Sequence, residues 1–135
     1  MAFLTYLRKR KSINITHIAI WVNNIESSKL FYCKYFSATH NKLYKNPKKD
    51  FCSYFISFPN GCRLELMSNI SGKTIPIYKG GHFAISVGSK KEVNKLTETM
   101  QKDGVTIIGE PRKTGDGYYE SIIADPDGNL VEITV

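Results

Sequence analysis

The chain has 135 residues, enough for one compact unit or for two small modules sharing a core. Its formal charge of +7 invites a nucleic-acid reading, but Arg8, Lys9, Arg10 and Lys11 supply four of it, and the remaining +3 is too thinly spread to make a basic stripe. Cys33, Cys52 and Cys62 are odd in number and lack Cys-x-x-Cys spacing, which argues against structural zinc and a disulfide framework and for reduced thiols in a cytoplasmic protein.

Residues 1–12 are basic after a short apolar run. That order is wrong for a signal core, and the segment is expected to be a disordered extension. Residues 13–22 are rich in β-branched and aromatic side chains and predict a strand. Period-two alternation puts His17, Ala19 and Trp21 on one face of it and Ile18, Ile20 and Val22 on the other. Asn23, Asn24 and Glu26 mark a helix start, and Phe31, Tyr32, Tyr35 and Phe36 continue an aromatic stripe that reads as core. Strands follow over 38–44, 53–58 and 62–67, the last two joined by a Pro-Asn-Gly turn. In the last of these Arg63, Glu65 and Met67 share a face opposite Leu64 and Leu66. Lys45-Asn-Pro-Lys-Lys49 reads as a solvated loop. Residues 69–81, with Gly72, Pro76, Gly80 and Gly81, form a connector. A strand over 82–87 comes next, then a helix opened by the Ser89/Glu92 capping box, striped by Val93, Leu96 and Met100, and closed by Gly104. Two or three strands complete the chain. No segment approaches the ~20 apolar residues of a membrane span, so neither membrane nor nucleic acid is expected as a partner.

The second half repeats the first. His17-Ile-Ala-Ile recurs as His82-Phe-Ala-Ile, and Phe58-Pro-Asn-Gly-Cys-Arg-Leu-Glu65-Leu recurs as Asp125-Pro-Asp-Gly-Asn-Leu-Val-Glu132-Ile. A half of this size buries too little surface to stand alone, so modules 13–68 and 82–135 should pack into a single domain or on a second chain. The order strand, helix, three strands in each half gives an α+β fold with mixed sheets. Each half brings one His and one Glu out of its apolar set. Imidazole nitrogen and carboxylate oxygen suit divalent Zn, Ni, Co, Mn or Fe, and two carboxylates neutralise the ion. Two inward carboxylates without a cation would be costly. In an octahedral site four such ligands leave two positions open, as catalysis requires.

His17, Glu65, His82 and Glu132, in that order and with the closing Asp125-Pro-Asp-Gly-Asn-Leu-Val-Glu132 segment, resemble the vicinal oxygen chelate superfamily of glyoxalases, bleomycin resistance proteins and dioxygenases, and within it the glyoxalase I branch. The resemblance covers 13–135. It implies two tandem βαβββ modules forming a cupped, incomplete barrel around one divalent ion per site, with Ni or Zn ahead of Co, Mn or Fe. It implies a homodimer whose sites draw ligands from one chain or from two, and a detoxifying lyase or isomerase that converts a 2-oxoaldehyde–thiol hemithioacetal to a 2-hydroxyacyl thioester. Glu132 is then the base that removes the carbon-bound proton, and Glu65 its partner on the opposite substrate face. Asn69 matches a position that contacts glutathione in bacterial glyoxalases. Trp21 stands where those enzymes tend to carry an Arg for the thiol's carboxylate, and Arg63 or Arg112 could replace that contact. The alternatives are another metalloenzyme of the superfamily with a different substrate and a protein that sequesters a small molecule in the same cup.

Overall fold

The computed structural model describes residues 14–76 and 80–135, so the expected extension over 1–12 lies outside the described residues. Module one runs β1 (Ile18–Trp21), α1 (Ile25–Phe36), β2 (Thr39–His40), β3 (Tyr44–Asn46), a 3-10 turn (Pro47–Lys49), β4 (Phe51–Ser57) and β5 (Arg63–Ser68). Module two runs β6 (His82–Ser86), α2 (Lys90–Lys102), β7 (Ile107–Lys113), β8 (Tyr119–Ala124) and β9 (Leu130–Thr134). The sheets are mixed, in the orders β1-β5-β4-β2, with β3 also on β4, and β6-β9-β8-β7. In both, the first strand lies parallel to the last and the other pairs are antiparallel. This is the expected α+β architecture of two mixed sheets, open and not closed into a barrel.

Local chemistry sets the element ends. Asn24, not Asn23, caps α1 by accepting from the Ser27 N–H, and Glu26 pairs with Lys29 and the Tyr54 hydroxyl instead of closing a capping box. Asn23 is used elsewhere: its side-chain oxygen accepts from the Ile75 N–H at 2.8 Å. Ser89 caps α2 as expected, accepting from the Glu92 N–H, and Gly104 beyond its end has φ +86°, the left-handed region where a side chain is strained. The strand expected over 38–44 is split into β2 and β3, because the Asn41 side chain accepts the Phe55 N–H at 2.8 Å and takes the place of a ladder carbonyl. The first strand is shorter than 13–22: the ladder with β5 starts only at Ile18, leaving His17 just ahead of it.

One apolar cluster joins both modules. Val22, Phe31, Tyr32, Phe36, Ile56, Leu64 and Leu66 come from the first, and Val93, Met100, Ile123, Val131 and Ile133 from the second. The aromatic stripe of α1 is core, as its spacing predicts, with Tyr32 fully buried. Polar contacts stitch the seam. The Tyr32 hydroxyl donates to Asp125 Oδ2 at 2.7 Å, the Asn23 N–H to Asp127 Oδ1 at 3.0 Å, and Lys34 and Tyr35 on α1 both reach Asp103 Oδ2. The Asp125–Asn129 turn thus closes the β8–β9 hairpin and also docks α1.

Candidate metal centre

The parallel pairing of first and last strand builds each half-site. In module one the register sets Ala19 opposite Glu65, and in module two it sets Ala84 opposite Glu132, so the copies coincide rung for rung. The small alanine lets the His two residues earlier lean across to the Glu. His17 Nε2 lies 3.4 Å from Glu65 Oε2, and His82 Nε2 lies 2.8 Å from Glu132 Oε1. The Thr16 hydroxyl sits 2.8 Å from His17 Nδ1 and orients that ring so that Nε2 faces the carboxylate. Both glutamates are mostly covered, with side chains 16% and 19% exposed, whereas His82 stays 53% exposed.

Within one chain the two pairs do not merge: among the described residues no group of three or more His, Cys, Asp or Glu gathers to hold an ion. The reason is the shared core. Leu64, Leu66, Val131 and Ile133 point into it, so the alternating faces that carry Glu65 and Glu132 both turn away from it. Each pair offers one imidazole nitrogen and one carboxylate oxygen, which is half of a four-donor shell for a divalent ion. The donor set of each pair is chemically suited to a divalent ion, and each supplies two of the four donors.

The surroundings of the two pairs differ. Beside His17, Phe55 packs edge-on at 5.1 Å between ring centroids, and the Arg63 guanidinium lies over the outer face of Phe55 at 4.7 Å. Arg63 thus reaches the face that carries Glu65, as its parity with that residue predicts. Trp21 is on the same face, 37% exposed, with Phe51 edge-on to it at 6.0 Å. Trp21 and His82 also line one cleft of about 270 Å³ between the open edges of β1 and β6. Asn69 is occupied locally, its amide donating to the Lys73 carbonyl at 3.1 Å in the connector. Arg112 stands opposite Glu120 across β7–β8, close enough to favour its charge. Glu120 itself neighbours Glu132: desolvation first, and then the Glu132 carboxylate beside it, push its carboxyl above the usual carboxylate range. Sequence reasoning missed Glu120, Phe55, Phe51 and Thr16. Counting alternation back from Glu132 across the turn would have found Glu120, and the Phe51-x-Ser53-x-Phe55 alternation was visible in the same way.

Residues 14–133 match the family model of the Glyoxalase/Bleomycin resistance protein/Dioxygenase superfamily. A curated relative, the trivalent organoarsenical cleaving enzyme of Bacillus sp. (strain MD1), is 29% identical over 117 residues, 84% of this chain and 67% of its own length. The fold is shared with glyoxalase I from Zea mays (TM-score 0.77, 24% identity, 90% of this chain and 44% of that one). It is shared also with the trypanothione-dependent glyoxalase I of Leishmania major (TM-score 0.74, 24% identity, 91% and 86%). This chain thus spans less than half of the Zea mays protein. With its family model matched almost end to end and its duplicated His–Glu rungs in the same register, the chain belongs to the Glyoxalase/Bleomycin resistance protein/Dioxygenase superfamily.

Proposed function

We propose that this protein is a metal-dependent, glyoxalase I-like lyase or isomerase, converting the hemithioacetal of a 2-oxoaldehyde and a thiol to a 2-hydroxyacyl thioester. We infer further that it works as a homodimer, with His17 and Glu65 of one protomer facing His82 and Glu132 of its partner. The observation that carries this reading is the identical rung position of the two pairs, Ala19 opposite Glu65 and Ala84 opposite Glu132. A packing or turn role would preserve the strand, but it would not require a His and a Glu in contact on the core-averted face of both copies.

A divalent ion bound there, Ni or Zn ahead of Co, Mn or Fe, supplies Lewis-acid polarisation of the two adjacent substrate oxygens. The chain's own residues do the rest. Glu132, mostly covered and beside Glu120, takes the carbon-bound proton, and Glu65 serves the opposite face of the substrate. Thr16, 2.8 Å from His17 Nδ1, holds that ring with Nε2 towards Glu65. Arg63, held over Phe55, offers a guanidinium to an anionic part of the thiol.

The organoarsenical-cleaving relative supports a second reading, cleavage of a carbon–arsenic bond at the same centre. Arsenic(III) favours thiolates, and of the three free thiols Cys52 is buried, Cys33 is half-buried and Cys62 is exposed one residue before Arg63. The test loads purified protein with each ion and assays methylglyoxal with glutathione, bacillithiol and other thiols, beside a trivalent organoarsenical. Stoichiometric ion binding lost in Glu65→Gln and Glu132→Gln, with thiol-dependent turnover, is the expected result. Ion binding that survives both substitutions sinks the metal centre. Arsenical turnover alone replaces the glyoxalase reading by the second.

A further inference from the structure

The rung next to each Glu carries a row of side chains across four strands, and the two rows have opposite character. In sheet one the paired positions run Trp21, Met67, Ser53, Tyr44, from β1 through β5 and β4 to β3. In sheet two the corresponding row is Ser86, Thr134, Glu120, Arg112. Each row lies one side-chain repeat, roughly 7 Å, from its ligand Glu and on the same face. The same fold position is therefore satisfied by polar and charged groups in one copy, so folding does not require aromatic rings in the other.

The rings of sheet one also stand in an open arrangement. Phe51, one repeat further along β4, meets Trp21 at 6.0 Å and 89° and Tyr44 at 6.3 Å and 61°. What sets these rings apart from the equally edge-on core pair Phe31 and Tyr32 is exposure, 37% for Trp21 and 53% for Tyr44. Between them Ser53 is small and buried, which keeps the floor of the row low.

We propose that Trp21, Phe51 and Tyr44 form a specificity subsite for an aromatic ring borne by the substrate, next to its chelating oxygens. The proposal deepens the function proposed above and rests on it for the reactive end of the substrate, but the subsite itself is a property of sheet one. An indole, a phenol and a phenyl set at steep angles present faces and edges to an incoming ring, and the row holds no charge to bind the carboxylate of a thiol. Charge lies on the other side of Glu65, at Arg63, and on sheet two, at Arg112 and Glu120. In a two-fold dimer the reactive centre would have the apolar row on one side of Glu65 and charged groups beyond it, so the substrate has an aromatic end and a polar end.

Trp21 is the only tryptophan in the chain, so its emission reports this subsite directly. The test titrates the full chain, without added metal, with p-cresol, which has a ring but no chelating oxygen pair. A saturable change in Trp21 emission is expected, with affinity falling about tenfold in Phe51→Ala, the effect of losing one ring contact and its buried area. Tyr44→Ala, at an exposed position, gives a second variant that keeps the fold, and it should weaken binding in the same direction. With the metal-loaded protein, the ratio of kcat/KM for the phenylglyoxal hemithioacetal to that for the methylglyoxal hemithioacetal should fall in both variants. An emission that ignores p-cresol, or an affinity unchanged in both variants, overturns the subsite. Cresol binding that the variants weaken, without turnover of either hemithioacetal, leaves the subsite standing and removes the glyoxalase reading; turnover with an unchanged ratio does the reverse.

Discussion

Replacing Tyr32 with Phe removes a single oxygen at the seam between the modules. Tyr32 is fully buried, and its hydroxyl donates at 2.7 Å to Asp125 Oδ2, a carboxylate only 5% exposed. Asp125 accepts three further bonds, from the Asp127 N–H, the Asn129 N–H and the Asn129 amide, at 3.0, 2.8 and 2.9 Å. The variant leaves a buried carboxylate one donor short, and a hydrogen bond to a charged acceptor is worth about 1.5–3 kcal/mol. A chain of this length has an unfolding entropy of about 0.28 kcal/mol/K, so a loss of about 2 kcal/mol lowers Tm by about 7 °C. The pH dependence gives a second handle. Burial first, and then the charge of Asp125, raise the Tyr32 pKa well above its usual value. A group whose folded pKa is raised contributes stability below its unfolded pKa, near 10 for Tyr, and loses it as pH climbs towards the folded value. The gap between wild type and Tyr32→Phe should therefore be full at pH 7 to 9 and shrink above about pH 10, as followed by thermal melts of both proteins. A variant within about 0.5 kcal/mol of wild type at pH 7, the range of an inert surface change, would refute the account of the seam. A gap that stays constant to pH 11 would refute the linkage.

Other expectations are more local. Ser89→Ala removes the acceptor for the Glu92 N–H and should cost about 1 kcal/mol in urea unfolding. Ion removal should be felt at the level of assembly: if each ion joins two chains, a chelator lowers Tm and the dimer fraction in sedimentation together. At an ion concentration of 100 times Kd the stabilisation lost is about 2.7 kcal/mol, and Glu132→Gln should make the protein indifferent to the chelator.

How much could be read from the sequence depended on whether a feature is set by local alternation or by the placing of one face against another. Alternation put His17, Glu65, His82 and Glu132 outside their apolar sets, and the repeat reinforced it, but the parallel pairing of first and last strand that sets each His beside its Glu came only with the structure. Alternation also says that both glutamates avoid the core, but not where the two core-averted faces point. Only the joint packing of Leu64, Leu66, Val131 and Ile133 shows that a single chain keeps its half-sites apart. The missed aromatic row has a similar cause. Tyr44 and Phe51 are separated by the 3-10 turn at Pro47–Lys49, which breaks strand counting, and Asn41 interrupts the strand before it. Asn23 and Asn24 were equally good caps by composition. Competition from Ile75 and Asp127, distant in sequence, decided between them.

The proposed ion ligands of sheet one and the row beside them occupy separate rungs of one ladder, so that row can change without replacing His17 or Glu65. On the proposed subsite, a substitution at Trp21 or Tyr44 would alter what the cup accepts while His17 and Glu65 stay in place, whereas one at Glu120 would also reach the neighbouring Glu132. Duplication gave this chain two copies of a donor pair, and with them two neighbouring rows free to diverge.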